Sequence, residues 1–229
     1  MKKAKDLKIP FSWEERRPVI LENFFYIPSL YDRHGEWVPL QWSDPQLFGN
    51  EAPVILEFCS GNGQWICERA KEHPECNWVA LDIRFDRCRK TWCRLHREKL
   101  SNLFVICGDA KILVQHYLPT LSLERFYVNF PDPWPKLRHA KHRLIQTPFI
   151  DAAAELLLPG KEAIFVTDDP TYAKQMATVL CKSSSLKPLL PYPHYELNPK
   201  EYGSSYFHDL WVEKGRLIHK LIFQKWLIS

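Results

Sequence analysis

Residues 127–136 place one carboxylate and one indole in a turn that is rich in proline. The segment reads Tyr-Val-Asn-Phe-Pro-Asp-Pro-Trp-Pro-Lys, so an apolar strand is predicted to enter the proline turn, residues 130–135. Proline fixes its own φ at about −65° and favours extended geometry in the residue before it. Asp132 lies between Pro131 and Pro133 and should have little conformational freedom. A rigid carboxylate beside Trp134 could bind a flat, polar ligand and stabilise charge that develops on it.

A cationic segment, residues 136–143, follows the proline turn. Its basic and histidine side chains are Lys136, Arg138, His139, Lys141, His142 and Arg143, and no acidic residue occurs between Pro133 and Ile150. A carboxylate next to such a segment suggests a polyanion whose neutral base must also be bound. The alternative is a solvated surface, because Lys and Arg are the usual surface residues.

Two further groups of cationic residues favour a phosphate backbone as partner, although the net charge of +4 does not show this by itself. A helix predicted over 85–99 has an apolar side, formed by Phe85, Cys88, Trp92 and Leu95. Its opposite side is cationic, with Arg87, Lys90, Arg94 and Arg97. The N-terminus adds Lys2, Lys3, Lys5, Lys8, Arg16 and Arg17.

Short apolar runs alternate with amphipathic stretches from Pro53 onward. The pattern predicts strands at 53–58, 77–82, 103–107, 124–130 and 162–167 and a last strand at 217–226. Helices are predicted near 63–72, 85–99 and 110–117 and from an N-cap at Thr147 to Pro159. A further helix is predicted from Pro170 to about Cys181, with Asp169 as its N-cap. This alternation is typical of an α/β fold with a parallel sheet and helices on both faces.

Four acidic residues lie at the carboxyl ends of these strands, where open α/β sheets bind ligands: Glu57, Asp82, Asp109 and Asp132. The glycine loop, residues 59–63, follows the first strand, and Gly61 and Gly63 could let a ligand approach the backbone. Asp82 comes 21 residues after Gly61, a spacing typical of a ribose-binding acid. Asp109 could accept a hydrogen bond from an adenine amine or could cap the next helix.

Length and composition indicate one domain at 53–229 with an N-terminal extension, residues 1–52, packed on or beside it. A hydrophobic fraction of 45% and a charged fraction of 25%, with no signal peptide or membrane span, favour a cytoplasmic protein. The seven cysteines are odd in number and form no CxxC pair, which favours reduced thiols. Cys88 and Cys93 fall on different helix faces, so no metal site is expected.

The chain resembles the class I S-adenosylmethionine-dependent methyltransferases and, more narrowly, the bacterial tRNA (guanine-N7)-methyltransferases. The resemblance covers about Pro53 to Trp226 and is most specific at residues 129–136, 138–144 and 167–168. It implies a Rossmann-like, mostly parallel seven-stranded sheet whose last strand is antiparallel. It further implies S-adenosylmethionine as cofactor and tRNA as partner, with no membrane association, in a monomer or homodimer.

By matched position, the resemblance implies that Glu57, Gly61, Gly63, Asp82 and Asp109 bind the cofactor and that Asp132 serves both cofactor and catalysis. It implies substrate contacts for Lys136, Asp168 and Ser205. It implies RNA contacts for Arg138, His139, Lys141, His142 and Arg143.

The chain departs from the family pattern at two places. Cys59 occupies a position that is usually glycine, which suggests that the backbone there avoids a positive φ or that the loop is altered. The family's Thr-x-aromatic-Glu motif corresponds to residues 205–208, where His208 replaces the glutamate and Ser205 is the similar residue.

The implied reaction is methyl transfer to N7 of a guanosine in the tRNA variable loop, at position 46. One alternative is an amino-methyltransferase, because residues 129–134 loosely resemble the Asn/Asp-Pro-Pro-aromatic turn used on exocyclic or amide nitrogens. Another is a catalytically silent RNA-binding relative, which the altered residues 205–208 make conceivable. A nicotinamide oxidoreductase is disfavoured because the glycine loop lacks a third glycine.

Overall fold

In the computed structural model of the chain, the described residues are Leu7, 17–203 and 205–227. They divide into two compact units, the first ending at Pro119 and the second beginning at Thr120. The predicted RNA contacts at Lys2, Lys3, Lys5, Lys8 and Arg16 lie outside the described residues.

The described residues of the first unit form five strands and three α-helices. The strands are β1 (Val19–Leu21), β2 (Phe24–Tyr26), β3 (Val54–Phe58), β4 (Asn77–Asp82) and β5 (Leu103–Cys107). The helices are α1 (Gln64–Glu72), α2 (Phe85–Glu98) and α3 (Ala110–His116). The strand order is β1-β2-β5-β4-β3, and all pairs are parallel except β1 with β2.

Burial explains why β3, β4 and β5 read as continuous apolar runs. Every residue of these strands is buried, as expected for parallel strands that are covered on both faces. Helix α2 buries Cys88, Trp92 and Leu95, which confirms the apolar side seen in the sequence. Strands β1 and β2, which the sequence did not predict, add the buried Phe24 and Phe25 to this core.

The second unit contains the remaining strands and helices. Its strands are β6 (Leu123–Asn129), β7 (Leu157–Thr167), β8 (Leu186–Pro188), β9 (Glu196–Leu197) and β10 (His219–Lys225). Its helices are α4 (Thr147–Leu156), α5 (Pro170–Leu180) and α6 (Tyr206–Glu213). The order is β6-β7-β10-β8, with β9 also on β10. Strands β6 and β7 are parallel and β10 is antiparallel to β7, so the predicted α/β class and antiparallel last strand are confirmed.

Helix α4 differs from its prediction at both ends. Its N-cap is Gln146 rather than Thr147, and Pro148 lies in its first turn. It ends at Leu156, so Leu157 begins β7 and pairs with Leu123 instead of continuing the helix to Pro159. Pairing with β6 therefore overrides the local helical pattern, and an irregularity in the β6–β7 register absorbs the early start of the strand.

Three general features of the described residues concern membrane spans, cysteines and metal binding. Their helices are all too short or too polar to span a bilayer. The seven cysteines all lie in the described part of the chain, and no two of them form a disulfide. No cluster suited to a metal ion occurs among the same residues.

Candidate active site

The first unit brings three of the predicted acidic residues to one edge of its parallel strands. Glu57 lies in β3 and Asp82 ends β4, and their side chains are 2% and 3% exposed. Register pairs Phe58 with Leu81 and Asp82 with Cys107, so the carboxyl ends of β3, β4 and β5 coincide. Asp109 lies two residues after the end of β5 and is partly exposed. These carboxylates are therefore arranged along the edge where α/β proteins bind ligands.

Asp82 organises the backbone around it. One carboxylate oxygen accepts a hydrogen bond from the N–H of Gly61 at 2.9 Å, and the other accepts from the N–H of Arg84 at 2.9 Å. The guanidinium of Arg87 lies 3.8 Å away. Burial raises the pKa of Asp82 above its usual value, although the two N–H donors and the Arg87 charge act in the opposite direction. The predicted ribose-binding acid thus also fastens the glycine loop to the end of β4.

The glycine loop adopts left-handed geometry at three positions. Cys59, Gly61 and Gly63 have φ values of 62°, 56° and 72°. The expectation that Cys59 avoids a positive φ is therefore wrong: a residue that has a Cβ adopts the left-handed conformation here. A non-glycine residue in this conformation costs about 1–2 kcal/mol.

Gly63 has a second reason to be glycine. A Cβ at this position would lie 2.4 Å from Oγ1 and 2.5 Å from Cγ2 of Thr91 in α2. Gly63 therefore permits the close approach of α2 to the start of α1, in addition to any role at a ligand. In the same loop, Ser60 is 8% exposed, and its hydroxyl finds no hydrogen-bond partner among the described residues. A buried polar group of this kind fits the edge of a site for a polar cofactor.

Asp109 is a helix cap in the structure. It occupies the N-cap position of α3, and one carboxylate oxygen accepts the N–H of Lys111 at 2.8 Å. The capping role that the sequence left open is therefore observed. The predicted contact with an adenine amine stays a prediction.

The proline turn in the second unit is strained. Phe130 and Trp134, each followed by a proline, have φ values of 46° and 41°, so the expected extended geometry before proline is wrong at both residues. Asp132 is exposed, and one of its carboxylate oxygens accepts the N–H of Trp134 at 3.0 Å. Strain of about 1–3 kcal/mol for each such residue persists only where the surroundings hold it, and it is concentrated at functional sites.

The cationic segment separates into exposed residues and one buried residue. Lys136, Arg138, Lys141 and His142 are exposed, and residues Leu137–His142 form a 3-10 helix. The ring of Trp134 lies 5.8 Å from that of His139 and 5.3 Å from that of His142. The indole thus packs against two imidazoles, whose rings lie 6.2 Å apart, while remaining partly accessible.

Arg143 does not lie on the surface where an RNA contact was predicted. Its side chain is 5% exposed, and its Nε donates to the carbonyl of Pro133 at 2.7 Å. Its Nη1 donates to Gln175 Oε1 at 3.0 Å, and its guanidinium lies 4.9 Å from the centre of the Tyr172 ring. These contacts assign Arg143 to the support of the proline turn rather than to RNA. Sequence analysis grouped it with its exposed neighbours because its burial depends on α5.

Asp168 follows β7, is 7% exposed and forms an ion pair with Arg216. The guanidinium of Arg216 also lies 4.0 Å from the centre of the Trp211 ring. Asp169, rather than Asp168, caps α5 by accepting the N–H of Tyr172 at 2.8 Å, as the sequence predicted. Sequence analysis made no prediction for Arg216, because its pairing with a residue 48 positions away leaves no local signal.

Ser205 is buried and caps α6, its hydroxyl accepting the N–H of His208 at 3.1 Å. The His208 ring packs against Tyr202 at 5.4 Å, and the Tyr202 ring in turn lies 6.1 Å from Phe130 of the proline turn. The altered motif therefore packs beside the residue that opens the turn. A substrate contact by Ser205 stays a prediction.

Ion pairs compensate much of the predicted cationic side of α2. Arg94 and Arg97 lie 3.6 Å and 3.2 Å from Glu98, and Arg87 faces Asp82. Exposed Lys90 retains a position suited to a phosphate. Of the two candidate RNA-binding surfaces, the cationic side of α2 and the cationic segment 136–143, the segment is the stronger candidate.

Comparison with known proteins matches nearly the whole chain. A family model described as "Putative methyltransferase" matches residues 51–221. The tRNA (guanine-N(7)-)-methyltransferase of Chlamydia muridarum is 42% identical over 223 residues, 97% of this chain and 98% of the relative. That of Chlamydia trachomatis serovar D is 43% identical over 217 residues, covering 94% and 95%. That of Nitrosomonas eutropha is 36% identical over 200 residues, covering 86% and 88%.

Solved structures share the fold at low sequence identity. The antibiotic-resistance methyltransferase Kmr aligns with a TM-score of 0.56 at 18% identity, covering 85% of this chain and 98% of that one. TrmN from Thermus thermophilus aligns with a TM-score of 0.54 at 18% identity, covering 76% and 44%. These likenesses confirm the fold class. The family model and the relatives, which align over most of their own length, confirm the resemblance seen in the sequence: the chain belongs to the tRNA (guanine-N(7)-)-methyltransferase family.

Proposed function

We propose that this protein transfers a methyl group from S-adenosylmethionine to N7 of a guanosine in the tRNA variable loop, at position 46. The observation that carries the proposal is the alignment of 97% of the chain with a tRNA (guanine-N(7)-)-methyltransferase at 42% identity. The strained turn that presents Asp132 supports it, because this is the most specific motif of the family resemblance.

The first unit supplies the residues proposed to hold the cofactor. At the strand ends, Glu57 and Asp82 would accept hydrogen bonds from hydroxyl groups of the cofactor. The glycine loop would contact the cofactor through Gly61 and the Ser60 hydroxyl. Asp109 would accept from the adenine amine while also capping α3. S-adenosylmethionine, when bound, supplies an activated methyl group carried by a sulfonium.

The acceptor needs orientation rather than a base. Guanine N7 has an in-plane lone pair and no proton to lose, so the protein must mainly align the reacting atoms, which can contribute about 7–11 kcal/mol. Asp132 would accept hydrogen bonds from the guanine edge and stabilise the positive charge that forms on the purine. Its exposure leaves it accessible to a base, and its bond to the Trp134 N–H limits its rotation.

The second unit also supplies the proposed RNA contacts. Lys136, Arg138 and Lys141 are exposed next to the proline turn and would bind phosphates, with His139 and His142 beside them. Asp168 would contact the substrate together with Arg216, since the two side chains are paired.

We place the protein in the cytoplasm as a monomer or homodimer. Cell fractionation would test the localisation, and sedimentation would test the oligomeric state.

The test is methyl transfer to an unmodified tRNA transcript with labelled cofactor, followed by the reduction and strand cleavage specific for N7-methylguanosine. We expect one cleavage in the variable loop and none in a transcript that carries adenosine at position 46. Label that resists this cleavage and is found on an exocyclic or amide nitrogen would favour the amino-methyltransferase. Calorimetry that detects no binding of S-adenosylmethionine would favour the silent RNA-binding relative.

A further inference from the structure

Arg143 binds the same peptide group that donates a hydrogen bond to Asp132. The peptide between Pro133 and Trp134 offers its carbonyl to Arg143 Nε at 2.7 Å. The N–H of the same peptide donates to the Asp132 carboxylate at 3.0 Å. A rotation of this peptide plane would break both bonds together, so the guanidinium and the carboxylate are coupled through one rigid group.

The other contacts of Arg143 are fixed to α5. Gln175 accepts from Arg143 and donates from its Nε2 to the carbonyl of Ile145 at 2.8 Å. The Tyr172 ring lies beneath the guanidinium, and its hydroxyl accepts the N–H of Ile145 at 3.2 Å. Tyr172 is fully buried. Arg143 therefore joins the proline turn to a helix that is well packed.

The turn requires such a support. Phe130 and Trp134 both have positive φ, and neither has the conformational freedom of glycine. A lysine at position 143 could keep the charge, but a single ammonium cannot reproduce the fork that reaches Pro133 and Gln175 together.

We propose that Arg143 is a positioning residue: it fixes the Pro133–Trp134 peptide and thereby holds the Asp132 carboxylate in the orientation used for catalysis. This inference rests on the proposed function of the proline turn. It gives a buried arginine in a cationic RNA-binding segment a role distinct from that of its exposed neighbours.

The test combines steady-state kinetics with hydrogen exchange on the full chain. Arg143→Lys should lower kcat about tenfold or more, since small misplacements of reacting groups are costly, while the KM for tRNA changes less than about threefold. Exchange should rise in a peptide spanning 131–136 and stay constant in peptides from β7 and β10. Gln175→Leu should act in the same direction, and Gln175→Glu, which keeps an acceptor, should retain most of the activity.

Lys174→Gln is the matched control, because Lys174 is the exposed neighbour of Gln175 on α5, and it should leave kcat and exchange unchanged. The inference is overturned if folded Arg143→Lys keeps kcat within about twofold of wild type, or if exchange at 131–136 does not change. It is also overturned if activity falls only in proportion to the fraction unfolded. Absence of N7 methylation by the wild-type protein would instead refute the proposed function, whereas the exchange experiment would still report whether Arg143 holds the turn.

Discussion

The glycine loop and the proline turn both follow a parallel strand and both contain residues with positive φ, but different groups hold them. In the glycine loop, two of the three left-handed residues are glycines, and a carboxylate, Asp82, binds the backbone N–H of Gly61. In the proline turn, both left-handed residues have bulky side chains, and a guanidinium, Arg143, binds a backbone carbonyl. The glycine loop allows its backbone to approach α2 closely. The proline turn limits the orientation of the Asp132 carboxylate.

Removal of the Asp132 carboxylate should have the largest effect of the changes considered. Asp132→Ala should reduce methyl transfer by about a thousandfold, because the developing purine charge loses its stabilising group, while tRNA binding stays largely intact. Asp132→Asn is the matched variant: it retains an oxygen for the Trp134 N–H but lacks the charge. Single-turnover rates and filter binding would measure both, and near-normal turnover by Asp132→Ala would refute the catalytic assignment.

A side chain at position 63, in the glycine loop, should destabilise the folded protein. Gly63→Ala combines a φ of 72° with contacts of 2.4–2.7 Å to Thr91, so we expect a loss of about 2–4 kcal/mol in the free energy of unfolding. Urea denaturation would measure it. Adding Thr91→Ala, which removes the two closest atoms, should recover part of the loss.

Two other glycines separate the cost of a positive φ from the cost of close contacts with Thr91. Gly215 has a φ of 71° with nothing within 4 Å of an added Cβ, so Gly215→Ala should show the conformational cost alone, about 1–2 kcal/mol. Gly35 has open space and an ordinary φ, so Gly35→Ala should stay within about 0.5 kcal/mol of wild type. Equal losses at Gly63 and Gly215 would remove the packing argument for the glycine loop.

The sequence predicted the glycine loop better than the proline turn. Glu57, Asp82 and the cap at Asp169 follow from strand ends and local spacing, and the structure places them as expected. The clamp of Arg143 and the pair of Asp168 with Arg216 depend on residues 10 and 48 positions away, for which the sequence has no periodic signal. The positive φ of Cys59, Phe130 and Trp134 was also missed, because local preference alone disfavours it and tertiary contacts impose it.

Only the proline turn is followed by a cationic segment, and this difference should appear in tRNA binding. Arg138→Glu and Lys141→Glu should weaken binding and lower the slope of affinity against salt by about one for each phosphate that the variant no longer neutralises. Lys71→Glu, an exposed change of equal charge in α1, is the control. An unchanged slope would indicate that residues 136–143 form a solvated surface and do not bind phosphates.

The stability of the glycine loop should respond to pH through Asp82, and this is the smallest of the expected effects. Burial raises the pKa of Asp82, so the folded protein binds this proton more readily than the unfolded chain. The contribution of Asp82 to stability should therefore improve as pH falls through the raised pKa and be complete below its ordinary value of 3.8.

Comparison of wild type with Asp82→Asn isolates this effect. Between pH 7 and pH 4, the difference in the free energy of unfolding should move in favour of wild type. Denaturation curves at several pH values would measure it. Stability curves for the two proteins that remain parallel would contradict the shift and, with it, the pH sensitivity of the glycine loop.

The most direct test replaces the accepting atom. A tRNA transcript with 7-deazaguanosine at position 46 keeps the shape and exocyclic groups of guanosine but has carbon in place of N7. Under single-turnover conditions, we predict full methylation of the guanosine transcript and none of the deaza transcript, although both bind. Methyl incorporation into the deaza transcript at a comparable rate would contradict transfer to N7.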